Sequence, residues 1–566
     1  MHDDDFRALA DAPAAILILG QQALGTARRL QAVLPGSRIH GLDGRVQGAD
    51  AAYTVFGDTL RQLYRDDVPL VVLCAAGIVI RSLAPLLLEK GAEPPVLAVA
   101  EDGSAVVPLL GGLRGVNRLA RRIGEGLAVA PAITTSGELR FGTCLLDPPA
   151  GYALADLEQG KRFVADLLGG EQVRLEGDAP WLATERLPWA DDARRTIRVS
   201  CVASASSDDA LLIHPRVIVA RVRPPFEELA LQVRQALASA GLAFHSLACL
   251  AAEAAMMGNP ALQAAAETLG VPIRYLEGSE VLPDRLPGPS GDGLSLHQAP
   301  APFDPATLGR ARGRLTVIGL GPGAAEFMLP ATRRALDEAQ DLLGYQTYVD
   351  MAGPLRVGQV RHASDNREEL ERARHAFTLA AQGRQVVMIS SGDPGVFAMA
   401  SAVLEALHGS HDPLWHGVDL QVLPGVSAAL ATAARAGAPL GHDFCMLSLS
   451  DNLKPWSTIE HRLEQAALAD LVMAFYNPIS RARPWQLGRA LEIVRRHRAP
   501  ETRVVLGRDI GRPGERLTTL TLEALQPEQV DMRTLVIIGS STTTGFPRRG
   551  GGEWVYTPRW YPVAPK

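Results

Sequence analysis

Short apolar runs, each followed by a segment with helical spacing, define the first part of the chain. Ala14 to Gly20 and Leu70 to Ala75 are continuous apolar runs, and the segments that follow them, Gln21 to Leu34 and Ile78 to Glu89, have the periodicity of amphipathic helices. Apolar strands that alternate with helices are typical of a mainly parallel sheet buried on both faces. The pattern therefore predicts an α/β domain over residues 1–146.

One hairpin interrupts this alternation. Pro95 to Ala100 and Ala105 to Leu110 flank the tetrapeptide from Glu101 to Ser104, whose central Asp-Gly pair favours a tight turn between antiparallel strands. We therefore expect an antiparallel pair at this point of the otherwise parallel sheet.

Pattern and composition change toward the middle of the chain. Residues 147–212 are more polar and weakly patterned, whereas residues 213–283 contain one long helical segment, Phe226 to Ala240, and a second that ends near Leu269. These features predict a small middle domain and a compact α/β domain. Residues 284–313 are rich in Pro, Gly and Ser, a composition that predicts a partly extended linker without a packed core.

In the second half, strand after strand ends in a turn. The strand predicted from Leu315 to Ile318 runs directly into the turn from Gly319 to Gly323. Other apolar runs that end at or near a Gly, Pro or Asn are Val386 to Ile389, Leu420 to Leu423, Leu471 to Phe475, Arg503 to Leu506 and Leu535 to Ile538. Because sites in open α/β sheets form at the carboxyl ends of strands, we expect residues 314–562 to form an α/β domain with its site at these turns.

Composition limits the classes of function. A chain of 566 residues is too long for a single hydrophobic core, and its net charge of −6 gives no basic footprint for nucleic acid. The five cysteines are scattered singly without the spacing of a zinc site, so we expect reduced thiols and no metal. The acidic N-terminal residues, and apolar runs well short of the roughly 18 residues of a membrane span, predict a cytoplasmic protein without a membrane partner.

The turn from Gly319 to Ala324 loosely matches the glycine fingerprint of dinucleotide-binding folds, so a nicotinamide-dependent oxidoreductase is one hypothesis. In such a site the helix begins at the glycines, and its amides meet the pyrophosphate. Here Pro322 removes one amide, and Pro330, a favoured first residue of a helix, predicts that the helix starts later. The sequence therefore argues against phosphate binding at this turn.

Two further turns follow strands in the same way. Ser390 to Phe397 precedes an apolar helix predicted from Ala398 to Leu407, and Pro424 to Ala428 combines a glycine with the hydroxyl of Ser427. Structural roles alone can explain both turns, with Asp393 as the N-cap of the first helix, ahead of a proline, and Ser427 as the cap of the second. A capping role and a binding role are compatible.

Taken in order, the three turns and the later segment Phe475-Tyr476-Asn477-Pro478 resemble the tetrapyrrole methyltransferase family. Asp451 to Trp456, Gly507 to Glu515 and Gly539 to Thr543 are similar to its precorrin-3B C(17)-methyltransferase subgroup. The resemblance implies a two-lobed class III methyltransferase fold with S-adenosylmethionine in the cleft. It also implies a tetrapyrrole substrate, methylation at carbon 17 with ring contraction in cobalamin biosynthesis, and a homodimer as a possible assembly. Precorrin-3B and its cobalt counterpart, cobalt-factor III, both remain open as substrates.

The resemblance also assigns roles to residues. Glycines at the turns allow the backbone to approach the cofactor closely. The cofactor-binding residues that it implies are Gly321, Pro322, Gly392, Asp393, Val396, Phe397, Ser427, Ala428, Tyr476, Gly507 and Arg508. Ring contraction needs a general acid or base, for which Asp393 and Tyr476 are the candidates. Basic groups suit the substrate carboxylates, although each is also typical of solvated surface; these are Lys454, Arg481, Arg483, Arg512 and Arg516.

The first half carries a second resemblance. Gly77 to Arg81, Asp102-Gly103, Leu109 to Asn117 and Thr134-Thr135 resemble the cobalt-precorrin-5A hydrolase family, and the similarity extends to about residue 283. That family opens a lactone on the contracted ring and releases a two-carbon fragment. The resemblance therefore implies that both halves act in one pathway.

This half departs from the family pattern at two places. Leu113 stands where a histidine is common, which removes the most obvious general base, and Ala220 to Pro225 replaces the glycine, cysteine and basic residues that open the third module. The first half is therefore either a hydrolase or a non-catalytic module that binds corrin intermediates and hands them over.

Overall fold

The computed structural model describes residues 13–87, 93–205, 207–278, 280–286, 293–353, 356, 358–364, 368–480 and 484–561. Contacts divide the chain into two compact units, Met1–Ala311 and Arg312–Lys566. Each unit consists of sheets with helices packed on them, which confirms the predicted α/β class.

The cysteines are free thiols, and burial raises the pKa of the Cys249 thiol to about 12. The described part of the chain contains no helix with the length and apolarity needed to cross a membrane.

The N-terminal unit begins with strands and helices that alternate along the chain: β1 Ala15–Ile18, α1 Leu24–Val33, β2 Arg38–Leu42, β3 Ala51–Tyr53, α2 Phe56–Arg65, β4 Leu70–Leu73, α3 Ala76–Leu83, β5 Val96–Val99, β6 Val106–Leu110 and α4 Val116–Leu127. The strands lie in the order β3-β2-β1-β4-β5-β6, parallel except for β6, which confirms the predicted hairpin. Ile16 and Leu73 pack under α1 and α4, and Leu17 and Val72 under α2 and α3. Both faces of the sheet are therefore buried.

The rest of this unit contains two smaller sheets with their helices. The first comprises α5 Ser136–Phe141, β7 Tyr152–Leu154, α6 Leu157–Leu168, β8 Val173–Glu176, β9 Arg195–Val199 and β10 Ala210–Pro215, with strand order β7-β10-β9-β8. The second comprises β11 Ile218–Val222, α7 Leu229–Ser239, β12 Leu247–Glu253, α8 Pro260–Leu269, β13 Ile273–Leu276, β14 Asp284–Arg285 and β15 Leu294–Gln298, with strand order β13-β12-β11-β15-β14. The helices predicted here are confirmed as α7 and α8.

The linker predicted over residues 284–313 is wrong for much of its described part. β15 pairs antiparallel with β11, from Ile218 opposite Gln298 to Val222 opposite Leu294. The side chain of Leu296 is buried in the core of this sheet. Composition did not reveal the strand because its backbone partners come from a distant segment. The Pro-Gly-rich residues 287–292 lie outside the described residues.

The C-terminal unit opens with an all-parallel sheet. Its elements are β16 Arg314–Gly319, α9 Pro330–Glu338, β17 Asp341–Tyr345, α10 Gln346–Ala352, β18 Val360–Ser364, α11 Glu369–Ala381, β19 Gln385–Ser390, α12 Met399–His408, α13 Pro413–Gly417 and β20 Asp419–Leu423. The strand order is β18-β17-β19-β16-β20, so the carboxyl ends of β19, β16 and β20 lie side by side. The predicted helix start at Pro330 is confirmed.

A mixed sheet follows. Its region contains α14 Ala428–Ala436, β21 Gly437–Ala438, β22 Phe444–Ser448, α15 Trp456–Leu468, β23 Val472–Tyr476, α16 Gln486–Val494, β24 Arg503–Arg508, β25 Arg516–Thr521, β26 Thr534–Ile538, β27 Thr544–Pro547 and β28 Glu553–Tyr556. The main sheet has the order β22-β23-β26-β24-β25, and β21, β28 and β27 form a small separate sheet. Helix α14 packs on one face of the main sheet, and α15 and α16 pack on the other. The unit thus has the two lobes that the family resemblance implies.

Candidate active site

The backbones of the turns after β16, β19 and β20 meet closely. Gly321 and Gly392 exchange hydrogen bonds, with N···O distances of 3.1 and 2.8 Å. A Cβ atom on Gly319 or on Gly425 would lie 2.2 Å from the carbonyl oxygen of Gly392. These turns therefore need glycine because three backbone segments meet where a side chain would not fit.

Asp393 joins the second turn to the third. Its Oδ2 accepts a hydrogen bond from the N–H of Gly425 at 2.9 Å, and its Oδ1 accepts one from the N–H of Gly395 at 2.8 Å. The prediction that Asp393 caps the following helix is wrong, because α12 begins at Met399 and Ala398 stands at its N-cap. The carboxylate instead satisfies backbone donors of two turns, a charge-assisted arrangement.

Ser427 caps α14, as predicted. Its Oγ accepts a hydrogen bond from the N–H of Leu430 at 3.3 Å, and its side chain is buried. The Cα atom of Ser427 lies 3.7 Å from the position that a Cβ atom on Gly392 would take. The N-terminus of α14, with Ala428 as its first residue, therefore lies beside the second turn.

Tyr476 ends β23 and reaches the same helix terminus. Its hydroxyl oxygen accepts a hydrogen bond from the N–H of Ala429 at 3.0 Å. Burial raises the pKa of Tyr476, and the charge of Asp393 adds to this effect, while hydrogen bonds to Ser427 and Ala429 oppose it. The phenol is therefore neutral at neutral pH.

Phe397 provides an apolar surface next to Tyr476. The two ring centroids are 5.3 Å apart, and Phe397 is 52% exposed. Its φ of +54° is in the left-handed region, which a bulky side chain rarely adopts and which costs on the order of 1 kcal/mol or more. The fold thus keeps an aromatic ring exposed to solvent beside the turns. Val396, just before it, is partly buried.

Arg512 connects the turn after β24 to the first two turns. Its Nε donates to the carbonyl oxygen of Pro322 at 2.8 Å, and its Nη2 donates to Oγ of Ser391 at 3.1 Å. A Cβ atom on Gly323 would lie 2.6 Å from Cγ of Arg512, so the arginine stem fills the space beside that glycine. Four turns are therefore brought together at one end of the unit.

The other two cofactor-binding candidates lie behind these turns. A Cβ atom on Gly507 would lie 2.3 Å from Oγ1 of Thr432, so this glycine permits the close packing of β24 against α14. Arg508 donates from Nε to Asp531 and from Nη1 to Asp509, both at 2.9 Å. Their direct contact with a cofactor remains a prediction.

The basic residues predicted for the substrate are spread out. Lys454 follows β22 and is partly buried, and burial, with the charge of Arg462, lowers its pKa. Arg516 is exposed at the start of β25, opposite Arg508. Arg512 lies among the turns, as described above. Arg481 and Arg483 lie outside the described residues.

Three residues that help to build the site were not among those predicted from the sequence. Gly319 and Gly425 allow the turns to meet, and Ser391 accepts from Arg512. The position of each glycine directly after an apolar strand was the available signal. Ser391 offered no signal, because its partner is distant in the sequence.

A cavity of about 200 Å³ lies in the N-terminal unit, between α4 and the region that follows α5. Glu138, whose side chain is 2% exposed, accepts a hydrogen bond from Nδ2 of Asn117 at 2.6 Å and pairs with Arg121. Nδ2 of Asn117 also contacts Oγ1 of Thr135 at 2.9 Å. Trp181, which also lines the cavity, has a buried indole N–H without a partner among the described residues.

Part of the second sequence resemblance converges on this cavity. Gly112 and Asn117 line it, and Thr135 supports Asn117. Asp102 instead accepts from the N–H of Ser104 at 2.9 Å inside the hairpin turn, a local structural role. Arg81 likewise makes a hydrogen bond within α3. Glu138 and Arg121 were not predicted from the sequence.

Comparison with known proteins matches both halves of the chain. Residues 314–526 match the family model described as Tetrapyrrole (Corrin/Porphyrin) Methylases, and residues 58–138 match that described as Cobalamin synthesis G N-terminal. The chain is 53% identical over 249 residues to a precorrin-3B C(17)-methyltransferase of Sinorhizobium sp, covering 44% of this chain and 97% of that protein.

Further relatives extend the match. The chain is 39% identical over 438 residues to the cobalamin biosynthesis protein CobIJ of Mycobacterium tuberculosis, covering 74% of this chain and 83% of that protein. A crystal structure of the methyltransferase CobJ is 49% identical and covers 44% of this chain and 100% of its own, with a TM-score of 0.41.

Proposed function

Because this chain belongs to the tetrapyrrole methylase family, we propose that its C-terminal unit transfers a methyl group from S-adenosylmethionine to carbon 17 of a tetrapyrrole. The proposed substrate is precorrin-3B or cobalt-factor III, with contraction of the ring during cobalamin biosynthesis. The N-terminal unit is proposed to act in the same pathway. A homodimer and a cytoplasmic location remain predictions.

The observation that carries this proposal is the meeting of four turns, with the backbone pair of Gly321 and Gly392 at its centre. A nucleoside with an amino acid tail needs backbone donors and acceptors at close range, together with an apolar surface for its base. The glycines of the turns carry no side chain that would block such an approach, and the exposed ring of Phe397 offers the apolar surface. The residues therefore fit S-adenosylmethionine.

The residues of the chain contribute to methyl transfer mainly by positioning the methyl donor and the acceptor carbon. When bound, S-adenosylmethionine supplies an activated methyl group on its sulfonium. The rigid turns would hold the methyl donor and the ring carbon in line, and such placement can contribute about 7 to 11 kcal/mol. The tie through Asp393 and that through Arg512 keep the turns from moving apart.

Ring contraction requires proton transfer, for which Asp393 and Tyr476 remain our proposed residues. With its pKa raised, Tyr476 keeps its proton at neutral pH, which fits a general acid better than a general base. The carboxylate of Asp393 can accept a proton, but both of its oxygens already accept backbone hydrogen bonds. On this geometry Tyr476 is the better candidate for direct proton transfer.

The geometry argues against the alternative of a nicotinamide-dependent oxidoreductase. Helix α9 begins at Pro330, away from the glycines, and the N–H of Gly321 is engaged with Gly392. Neither feature fits a pyrophosphate bound at a helix N-terminus.

Calorimetric titration of the full-length chain separates these two functions. We expect S-adenosylhomocysteine to bind in a single-site isotherm and NADH to give no heat beyond dilution. The methyltransferase proposal fails if NADH binds and S-adenosylhomocysteine does not. Mass analysis of the methylated product then identifies the substrate and shows whether it contains cobalt.

For the N-terminal unit, we propose a corrin-related role centred on the Glu138 cavity. The match over residues 58–138 and the buried polar groups of the cavity support it. Hydrolysis, as in the cobalt-precorrin-5A hydrolases, and non-catalytic binding with handover are both consistent with this site.

Only the hydrolase role releases acetaldehyde, so this product distinguishes the two roles. The full-length chain is incubated with cobalt-precorrin-5A, and released acetaldehyde is measured by a coupled assay. We expect release if the unit is a hydrolase, and Glu138→Gln should then reduce it strongly, because a buried partner of Asn117 and Arg121 loses its charge. Glu176→Gln, in the neighbouring sheet, is the matched control. Tight binding of the corrinoid without acetaldehyde favours handover.

A further inference from the structure

Arg512 reaches the other turns through one edge of its guanidinium group. The bonds from Nε to Pro322 and from Nη2 to Ser391 both use the side edge of the planar fork. These bonds fix the plane of the group. The opposite edge, formed by Nη1 and the second hydrogen of Nη2, makes no hydrogen bond or ion pair within the described part of the chain.

Carboxylates near this turn are already paired with other cations. Glu515 pairs with Arg435 at 3.0 Å, and Asp509 pairs with Arg508 at 2.9 Å. Among the described residues, Arg512 therefore retains an uncompensated positive charge beside the first two turns.

The partial burial of Arg512 strengthens the attraction of its charge for an anion. Its side chain is only partly exposed. Tyr348 lies close enough that the positive charge of Arg512 opposes the rise in the pKa of Tyr348 caused by burial. A charge in such a half-buried position attracts an anion more strongly than a fully solvated one does.

We propose that the open edge of Arg512 binds a carboxylate of the ligand in the cleft. This inference rests on the proposed function, since both proposed ligands carry carboxylates: the amino acid tail of S-adenosylmethionine, and the acetate and propionate arms of the tetrapyrrole. A fork whose plane is already fixed can form two parallel N–H···O bonds with little further loss of side-chain freedom. Arg512 would thus both join the turns and anchor the ligand.

The test compares Arg512→Met and Arg512→Lys with the wild-type full-length chain. Arg549→Met, an exposed arginine between β27 and β28, is the matched control. Calorimetry gives Kd for S-adenosylhomocysteine, which has the carboxylate, and for 5′-methylthioadenosine, which lacks it. Steady-state kinetics gives KM and kcat for the tetrapyrrole, and a thermal melt gives Tm.

The two sources of the carboxylate predict different results. If the cofactor supplies it, Arg512→Met raises Kd for S-adenosylhomocysteine by a factor about 10-fold or more larger than the factor by which it raises Kd for 5′-methylthioadenosine. If the tetrapyrrole supplies it, KM rises by about 10-fold or more, while the Kd values for the two nucleosides rise by equal and smaller factors. Arg512→Lys should recover part of the loss, because it keeps the charge without the fork.

Equal weakening of both nucleosides with a lower Tm, and no larger rise in KM, would show that Arg512 only joins the turns, and this would overturn the inference. Unchanged Kd and KM values would overturn it as well. If the wild-type chain does not bind S-adenosylhomocysteine, the proposed function is refuted, and the inference fails with it. This result concerns the wild type alone, so it is distinguishable from any result for the variants.

Discussion

Gly425→Ala should lower affinity for S-adenosylhomocysteine by about 10-fold or more and also lower Tm. The added Cβ atom would lie 2.2 Å from the carbonyl oxygen of Gly392 and 3.1 Å from Cα of Gly319. All of these are backbone atoms, so no flexible side chain can move aside. Overpacking of this kind costs roughly 1 to 3 kcal/mol, and here the strain falls on the turns of the proposed binding site.

Gly488→Ala is the matched control for that substitution. Gly488 lies within α16, and the nearest atom to its added Cβ, apart from the backbone of its own helix, is Cγ of Pro527 at 3.8 Å, an ordinary contact. Alanine should stabilise this helix by up to about 1 kcal/mol without changing ligand affinity. Calorimetry and thermal melts on both variants test the pair. If Gly425→Ala binds S-adenosylhomocysteine with wild-type affinity, the joined turns are not part of the binding site.

Asp393→Asn should weaken cofactor binding by a factor on the order of 10 to 100, because charge-assisted hydrogen bonds contribute about 1.5 to 3 kcal/mol. The two carboxylate oxygens accept from the N–H groups of Gly425 and Gly395. An asparagine amide has a single oxygen, so its NH₂ group must face one of these donors. Asp393→Ala removes both acceptors and should weaken binding at least as much.

Asp412→Asn provides the control for this change. Asp412 caps α13 and accepts from the N–H of Leu414 at 2.9 Å through one oxygen. Asparagine keeps that acceptor and is as good an N-cap, so stability and Kd should barely change. If the folded Asp393→Asn protein binds S-adenosylhomocysteine and turns over substrate like the wild type, Asp393 has no role in the site.

Features set by neighbours in the sequence could be predicted. Pro330 begins α9 and Ser427 caps α14, because a proline and a hydroxyl act on the first turn of their own helix. The apolar runs likewise located the central strands of both lobes. In each case the information lies within a few residues of the feature.

Features set by distant partners could not be predicted. The local pattern made Asp393 a helix cap, whereas one of its partners, Gly425, lies 32 positions further along the chain. In the sequence, Arg512 looks like an ordinary solvated arginine. Its role depends on its hydrogen bond to Pro322, which belongs to the other lobe. The order of the turns indicated a shared site, but the contacts that close it are tertiary.

The strand β15 has a practical consequence for recombinant fragments of this protein. A cut inside residues 284–293 would remove the partner of β11, whose residues Ile218 to Ala220 are fully buried. An apolar strand with unpaired N–H and C=O groups is a template for intermolecular pairing. Such an N-terminal fragment should accumulate in inclusion bodies, whereas a cut between Ala311 and Arg312 leaves β15 in its sheet.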